Sequence, residues 1–170
     1  MPGSFRLPLP TRRTVSLLRK DSHVATNYRV LSCSPQHVFD VLADGWLFPT
    51  WVVGASRMRN VDDEWPHPGS KLHHSFGSWP LLVNDETTML EWDPPRHAAL
   101  KPKGWPIGEA VVSIDVKPRP DGCVVRLMEK PVAGPATLIP SWLLDTLLHQ
   151  RNVETLRRLA FVAEGRPGTQ

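Results

Sequence analysis

The sequence predicts an α+β domain, an antiparallel sheet followed by one long C-terminal helix. Two observations carry this. Between residues 23 and 130, short stretches of strand-like residues alternate with Pro, Gly and Asp breaks, too close together for the dozen or more residues a parallel crossover needs. After them, Pro140 to Glu164 runs without an internal glycine or proline, a helix of roughly 36 Å at ~1.5 Å per residue.

The elements follow in order. His23–Leu31 alternates, with Val24, Thr26, Tyr28 and Val30 on one side, and reads as a strand. Ser34-Pro35 then supplies an N-cap and a first-turn proline. Val38, Phe39, Val41 and Leu42 follow at helical spacing until Asp44-Gly45 ends the helix. Trp46–Trp51 has room for one turn. Six further strands are expected at 52–61, 70–76, 81–92, 96–101, 107–117 and 123–130, with loop chemistry between them, Pro118–Gly122 included. The final helix sets Leu143, Leu144, Leu147 and Leu148 on one stripe and Leu156, Leu159 and Ala163 on another, displaced around its axis. The antiparallel sheet is the apolar surface available to it.

Charge and composition exclude more than they select. The chain has 170 residues, about one domain, and a formal net charge of +3. That excess sits in residues 1–22, where Arg6, Arg12, Arg13, Arg19 and Lys20 face only Asp21. This segment reads as a loose extension, in which Thr14–Leu18 could pair as an edge strand. The near-neutral remainder offers no electrostatic footprint for nucleic acid. No stretch is apolar enough to span a membrane, and the first residues lack the apolar core of a secretory signal. Two cysteines, Cys33 and Cys123, provide neither a disulfide framework nor a zinc cluster, and a cytoplasmic setting is expected. Both read as small apolar fillers. Residues 166–170 read as a frayed tail.

The stretches VLSCSPQHVFDVLADGW (30–46), DPPRHAAL (93–100) and RNVETLRRLAFVAE (151–164), with the Pro49-x-Trp51 pair, carry a resemblance. Over residues 23–165 the chain resembles the START-like superfamily, also called polyketide cyclase/dehydrase and lipid transport, SRPBCC or helix-grip. The resemblance implies a helix-grip fold, a curved antiparallel sheet of about seven strands wrapped around the C-terminal helix, with a cavity between. It also implies a lipid-like or polyketide-like hydrophobic ligand. Its motifs are diffuse, so fold transfers better than function.

No nucleophile elbow, phosphate-binding glycine loop or zincin motif is present. His73 and His74 are adjacent on a strand, point to opposite faces and cannot chelate one ion, so neither metal nor cofactor is expected. His74 shares a face with Leu72 and Phe76, which makes it either a general base facing the cavity or a core histidine bonded to a backbone carbonyl. Glu129 continues the face of Cys123, Val125 and Leu127, as an acid, base or ligand anchor, or as a rim residue meeting water. In the 81–92 strand, Asn84 and Glu86 are pocket candidates, but both faces mix polar with apolar residues and parity is undecided. Trp46, Trp51, Trp79 and Trp105 stand in or beside turns, where indoles could cover a flat ligand; Trp51 and Trp105 are the ligand-binding candidates. Arg151 falls within the leucine stripe of the last helix, so it either pairs with Glu129 at the cavity or snorkels to solvent.

Three functions remain open. One is a carrier or sensor of a small hydrophobic ligand. Another is a cyclase, aromatase or dehydratase using His74 and Glu129 as acid and base. The third is a protein-interaction or chaperone-assisting module.

Overall fold

The computed structural model describes residues 24–77, 79–80, 82–104, 108–134 and 140–165. The basic segment 1–22, Trp105, the tail 166–170 and the side chains of Leu144 and Asp145 lie outside the described residues.

Strand β1 (Ala25–Leu31) leads into helix α1 (Pro35–Ala43), a single 3-10 turn (Gly45–Leu47) and a one-turn helix α2 (Phe48–Trp51). Then come β2 (Ala55–Val61), β3 (Lys71–Phe76), β4 (Val83–Asp93), β5 (His97–Pro102), β6 (Glu109–Arg119), β7 (Gly122–Ala133) and the long helix α3 (Ser141–Glu164). The strands form one curved, wholly antiparallel sheet in the order β1-β7-β6-β5-β4-β3-β2. Six strands meander, and β1 closes the far edge by pairing with β7, from Leu31 opposite Cys123 to Ala25 opposite Glu129. The α1–α2 connection therefore crosses from one edge of the sheet to the other. This is the helix-grip arrangement.

Local chemistry explains the elements. The Ser34 hydroxyl accepts the amide N–H of His37 at 3.4 Å, and Pro35 sits in the first turn, where no N–H is needed. Helix α1 buries Val38, Phe39, Val41 and Leu42. Asp44 ends it and caps the next turn, accepting from Trp46 N–H at 3.2 Å.

Pro118 departs from its expected loop position and lies inside β6, opposite Cys123. The main-chain N–H of Val116 points toward the β5 side and reaches Arg96. Pro118, two residues on, would point the same way, where β5 has already ended, so its missing donor costs no ladder bond.

The core lies between the concave face, α1, α2 and the second half of α3. Phe39, Leu31, Leu72, Ile114, Leu127 and Leu159 are fully buried, each contributing roughly 1.5–3 kcal/mol by leaving water. Trp92 packs its indole on Phe39, with ring centres 5.2 Å apart.

The last helix corrects one expectation. Its sheet-facing contacts come from the second half, where Leu156, Leu159, Ala160 and Ala163 are buried. Leu143 and Leu147 are exposed, and Leu147 with Leu148 borders a cavity instead of packing on strands. The helix rests on β1, α1, α2 and the β7 edge, and its first half overhangs the hollow of the sheet.

Candidate functional site

A cavity of about 330 Å³ lies between the concave sheet, α2 and α3, at the small end of the range for drug-sized ligands. Its walls are largely apolar, built from Phe48, Trp51, Phe76, Leu100, Val112 and Leu127 among others. A second depression of about 490 Å³, beside Ala25 and His149, is open to solvent and lined by few residues. The enclosed, apolar one is the candidate site.

The polar groups on its wall fall into two sets, apart from Glu109 of β6, which pairs with Lys101. On the sheet side, β3 and β4 run antiparallel with His74 opposite Asp85. The His74 imidazole is 2 % exposed, its Nε2 lies 2.9 Å from Thr87 Oγ1, and its ring lies against Phe48. Nδ1 has no well-formed hydrogen bond. Burial lowers the pKa of the ring below its ordinary 6.5, against the opposing pull of Asp85, so the imidazole is neutral at pH 7. Asp85, also buried, accepts the Gly104 N–H at 2.9 Å and so ties β4 to the end of β5.

On the helix side, Glu129 and Arg151 meet at 2.5 Å between Oε2 and a guanidinium N–H. Glu129 reaches inward because it continues the buried run Cys123, Val125, Leu127 along β7. Arg151 also leans on Asn152 Oδ1 at 3.5 Å, which turns that amide's Nδ2 away, without a partner. Thr155 completes this wall, its Oγ1 accepting Val53 N–H at 3.3 Å.

Trp51, His74, Glu129 and Arg151 thus converge on one cavity. His74 bonds a threonine hydroxyl rather than a carbonyl. Trp46 and Trp79 are exposed and do not line the cavity, and Trp105 lies outside the described residues.

Asn84 and Glu86 stand on the opposite, convex face. Asn84 accepts from Ser75 Oγ, and Glu86 pairs with Lys103 at 2.6 Å and Lys71 at 3.2 Å. Hydrogen bonds from these lysines, Lys103 first, hold the Glu86 carboxyl below its ordinary pKa. The inward residues are Asp85, Thr87 and Met89. A bulge between Met89 and Glu91 then shifts the phase, leaves Leu90 and Glu91 outside and returns Trp92 inward. Strict alternation therefore fails at Trp92, while ahead of the bulge the inward face is itself part polar and Leu82 and Leu90 are exposed.

Asp85, Thr87, Glu109, Asn152 and Thr155 are the polar wall residues that sequence reasoning missed. The last two had a signal, because Leu148, Asn152, Thr155 and Leu159 recur at helical spacing on one face. His73, on the outer face, bonds Asp62 at 3.1 Å. Among the described residues no group of three or more His, Cys, Asp or Glu could hold a metal ion, and no helix is long and apolar enough to cross a membrane.

Known structures share this architecture. A protein of unknown function from Staphylococcus aureus superposes with a TM-score of 0.68 at 10% identity, over 85% of this chain and 94% of that one. A protein from Chromobacterium violaceum gives 0.63 at 16% identity, over 85% and 99%. The di-domain ARO/CYC StfQ of the steffimycin biosynthetic pathway gives 0.66 at 12% identity, and the match spans 83% of this chain but 51% of that one. At these identities the likeness is one of fold. No curated protein matches the chain in sequence. Residues 22–164 match the family described as polyketide cyclase / dehydrase and lipid transport, and the chain belongs to that family.

Proposed function

We propose that this protein binds an apolar, planar or lipid-like small molecule in the cavity between the sheet and α3. The observation that carries this reading is an enclosed, largely apolar space into which a few polar side chains converge from β3, β4, β7 and α3. Apolar walls supply affinity, and Trp51 presents a flat surface. Glu129, held as an ion pair by Arg151, anchors a polar group of the ligand. Membership of a family that includes lipid transport supports the reading. No metal or cofactor enters it, and two free, buried cysteines accord with a reducing cytoplasm. Titration with the neutral fluorophore N-phenylnaphthylamine tests it. Saturable binding to the native protein at one site is expected, and absence of saturable binding overturns it.

One observation favours a second reading. A neutral, desolvated imidazole on the wall of such a cavity is a competent base. A cyclase or dehydratase would use His74 to take a proton from a methylene between two carbonyls, leaving Glu129 as anchor. The fold likeness to an ARO/CYC protein accords with it. His74→Gln would then abolish turnover of a short poly-β-ketone while sparing fluorophore binding.

A further inference from the structure

We propose that the cavity selects against anions and takes ligands that bring a hydrogen-bond donor, a hydroxyl or a protonated amine, to Asp85; this rests on the cavity being a ligand site. The reason is a charge balance along its wall. Glu129 is matched by Arg151, and Glu109 by Lys101 at 2.7 Å. Asp85 is left over. Its carboxylate is engaged by the Gly104 amide, a neutral donor, and among the described residues no basic side chain lies within ion-pair distance of it.

The neighbouring cations are committed elsewhere. Lys103 places its Nζ on Glu86 and feels Asp85 only as the weakest of its charge partners, from beyond ion-pair distance. Arg59, exposed on β2, gives its N–H groups to the carbonyl oxygens of His74 and Asp85 at 3.1–3.2 Å and forms no ion pair with the Asp85 carboxylate. His74, directly across from Asp85, is neutral and adds no positive charge. The charge of Arg151 is already matched by Glu129, so an incoming carboxylate meets a neutral pair there and no spare cation.

Asp85 is 6 % exposed, and apolar surroundings strengthen whatever electrostatic contact it makes. A second anion in the same space meets repulsion there. A hydroxyl or ammonium group meets an acceptor with spare lone pairs. The sequence hides this feature, because Asp85 and Thr87 make the inward face of β4 polar while Leu90 stands outside.

Displacement of N-phenylnaphthylamine at neutral pH by three matched compounds tests the proposal: naphthylmethanol, naphthylmethylammonium and naphthoate. The alcohol and the ammonium are expected to bind at least about tenfold more tightly than the carboxylate. Asp85→Asn, whose side-chain carbonyl can still accept the Gly104 N–H, should narrow that gap to about threefold or less. Naphthoate binding as tightly as the alcohol to the wild-type protein overturns the proposal, as does an unchanged gap in a folded Asp85→Asn protein. If that variant fails to fold, the wild-type ranking decides alone. A fluorophore that does not bind at all sinks the cavity reading itself, whereas equal affinities sink only the charge selection.

Discussion

Glu129 and Arg151 form one ion pair, yet the Glu129 side chain is 4 % exposed and that of Arg151 34 %. The two halves should therefore cost different amounts to remove. Arg151→Leu strands a buried carboxylate without its cation, at about 3 kcal/mol. Glu129→Leu leaves a guanidinium that can turn to water, at about 1 kcal/mol. The double substitution should cost less than the sum of the two. Urea unfolding of the three variants measures this, and small, additive, equal losses would contradict a coupled pair.

His74 makes stability depend on pH. Its folded pKa lies below 6.5 because burial penalises the imidazolium, with Asp85 pulling the other way. The unfolded chain therefore takes up the proton first. The contribution is complete above about pH 6.5 and is lost as pH falls toward the folded value, by at most about 1.4 kcal/mol per pH unit. Comparing urea midpoints of wild type and His74→Gln at about pH 7.5 and about pH 5 isolates it, since other groups titrate in both. The wild type should lose more on acidification, and identical losses would show that the ring is not desolvated.

Cys33 and Cys123 should be inert in the native protein. Burial pushes the Cys123 thiol up to about 12, with the neighbouring Cys33 adding to it. Burial, then the charge of Glu164, raises Cys33 as well. A chromogenic disulfide reagent at mildly alkaline pH should label neither thiol until denaturant is added, and then both.

Trp51 supplies flat surface to the cavity and meets Phe48 edge-on, with ring centres 5.5 Å apart. Trp51→Ala would open a hole costing about 3–5 kcal/mol and confuse binding with folding. Trp51→Phe keeps an aromatic ring there. It should weaken N-phenylnaphthylamine binding roughly fivefold, about 1 kcal/mol, without collapsing the fold. Fluorescence titration reads the change, and unaltered affinity would remove the indole from the ligand surface.

Legibility in the sequence followed the regularity of each strand. On β7 the run Cys123, Val125, Leu127, Glu129 alternates without a break, so the inward carboxylate could be identified. On β3 the same held for Leu72 and His74. The pairing of Glu129 with Arg151 could be framed as one of two outcomes, because a guanidinium on a packed face needs a partner or water. Local pattern failed where tertiary context decided the outcome. On β4 the inward face carries Asp85 and Thr87 while Leu90 is exposed, so composition marked neither face, and Asn84 and Glu86 came forward in their place. The leucines at the start of α3 looked like a packing stripe, but the helix overhangs the cavity there and Leu147 borders it. Trp46 and Trp79, placed near turns by sequence, could not be told from Trp51 until α2 was seen against α3.

The bulge in β4 also separates two jobs carried by one strand. Ahead of it, Asp85 and Thr87 shape what the hollow accepts; beyond it, Trp92 braces α1 through Phe39. Substitutions in the first half can retune ligand preference while the brace stays in place. Flattening the bulge at unchanged strand length would do the reverse of tuning. It would make alternation strict from Asp85 to Trp92, so either the brace swings to the outside or the acid and the threonine do. A library aimed at new ligands can therefore vary the first half freely only if the substitutions leave the bulge between Met89 and Glu91 in place.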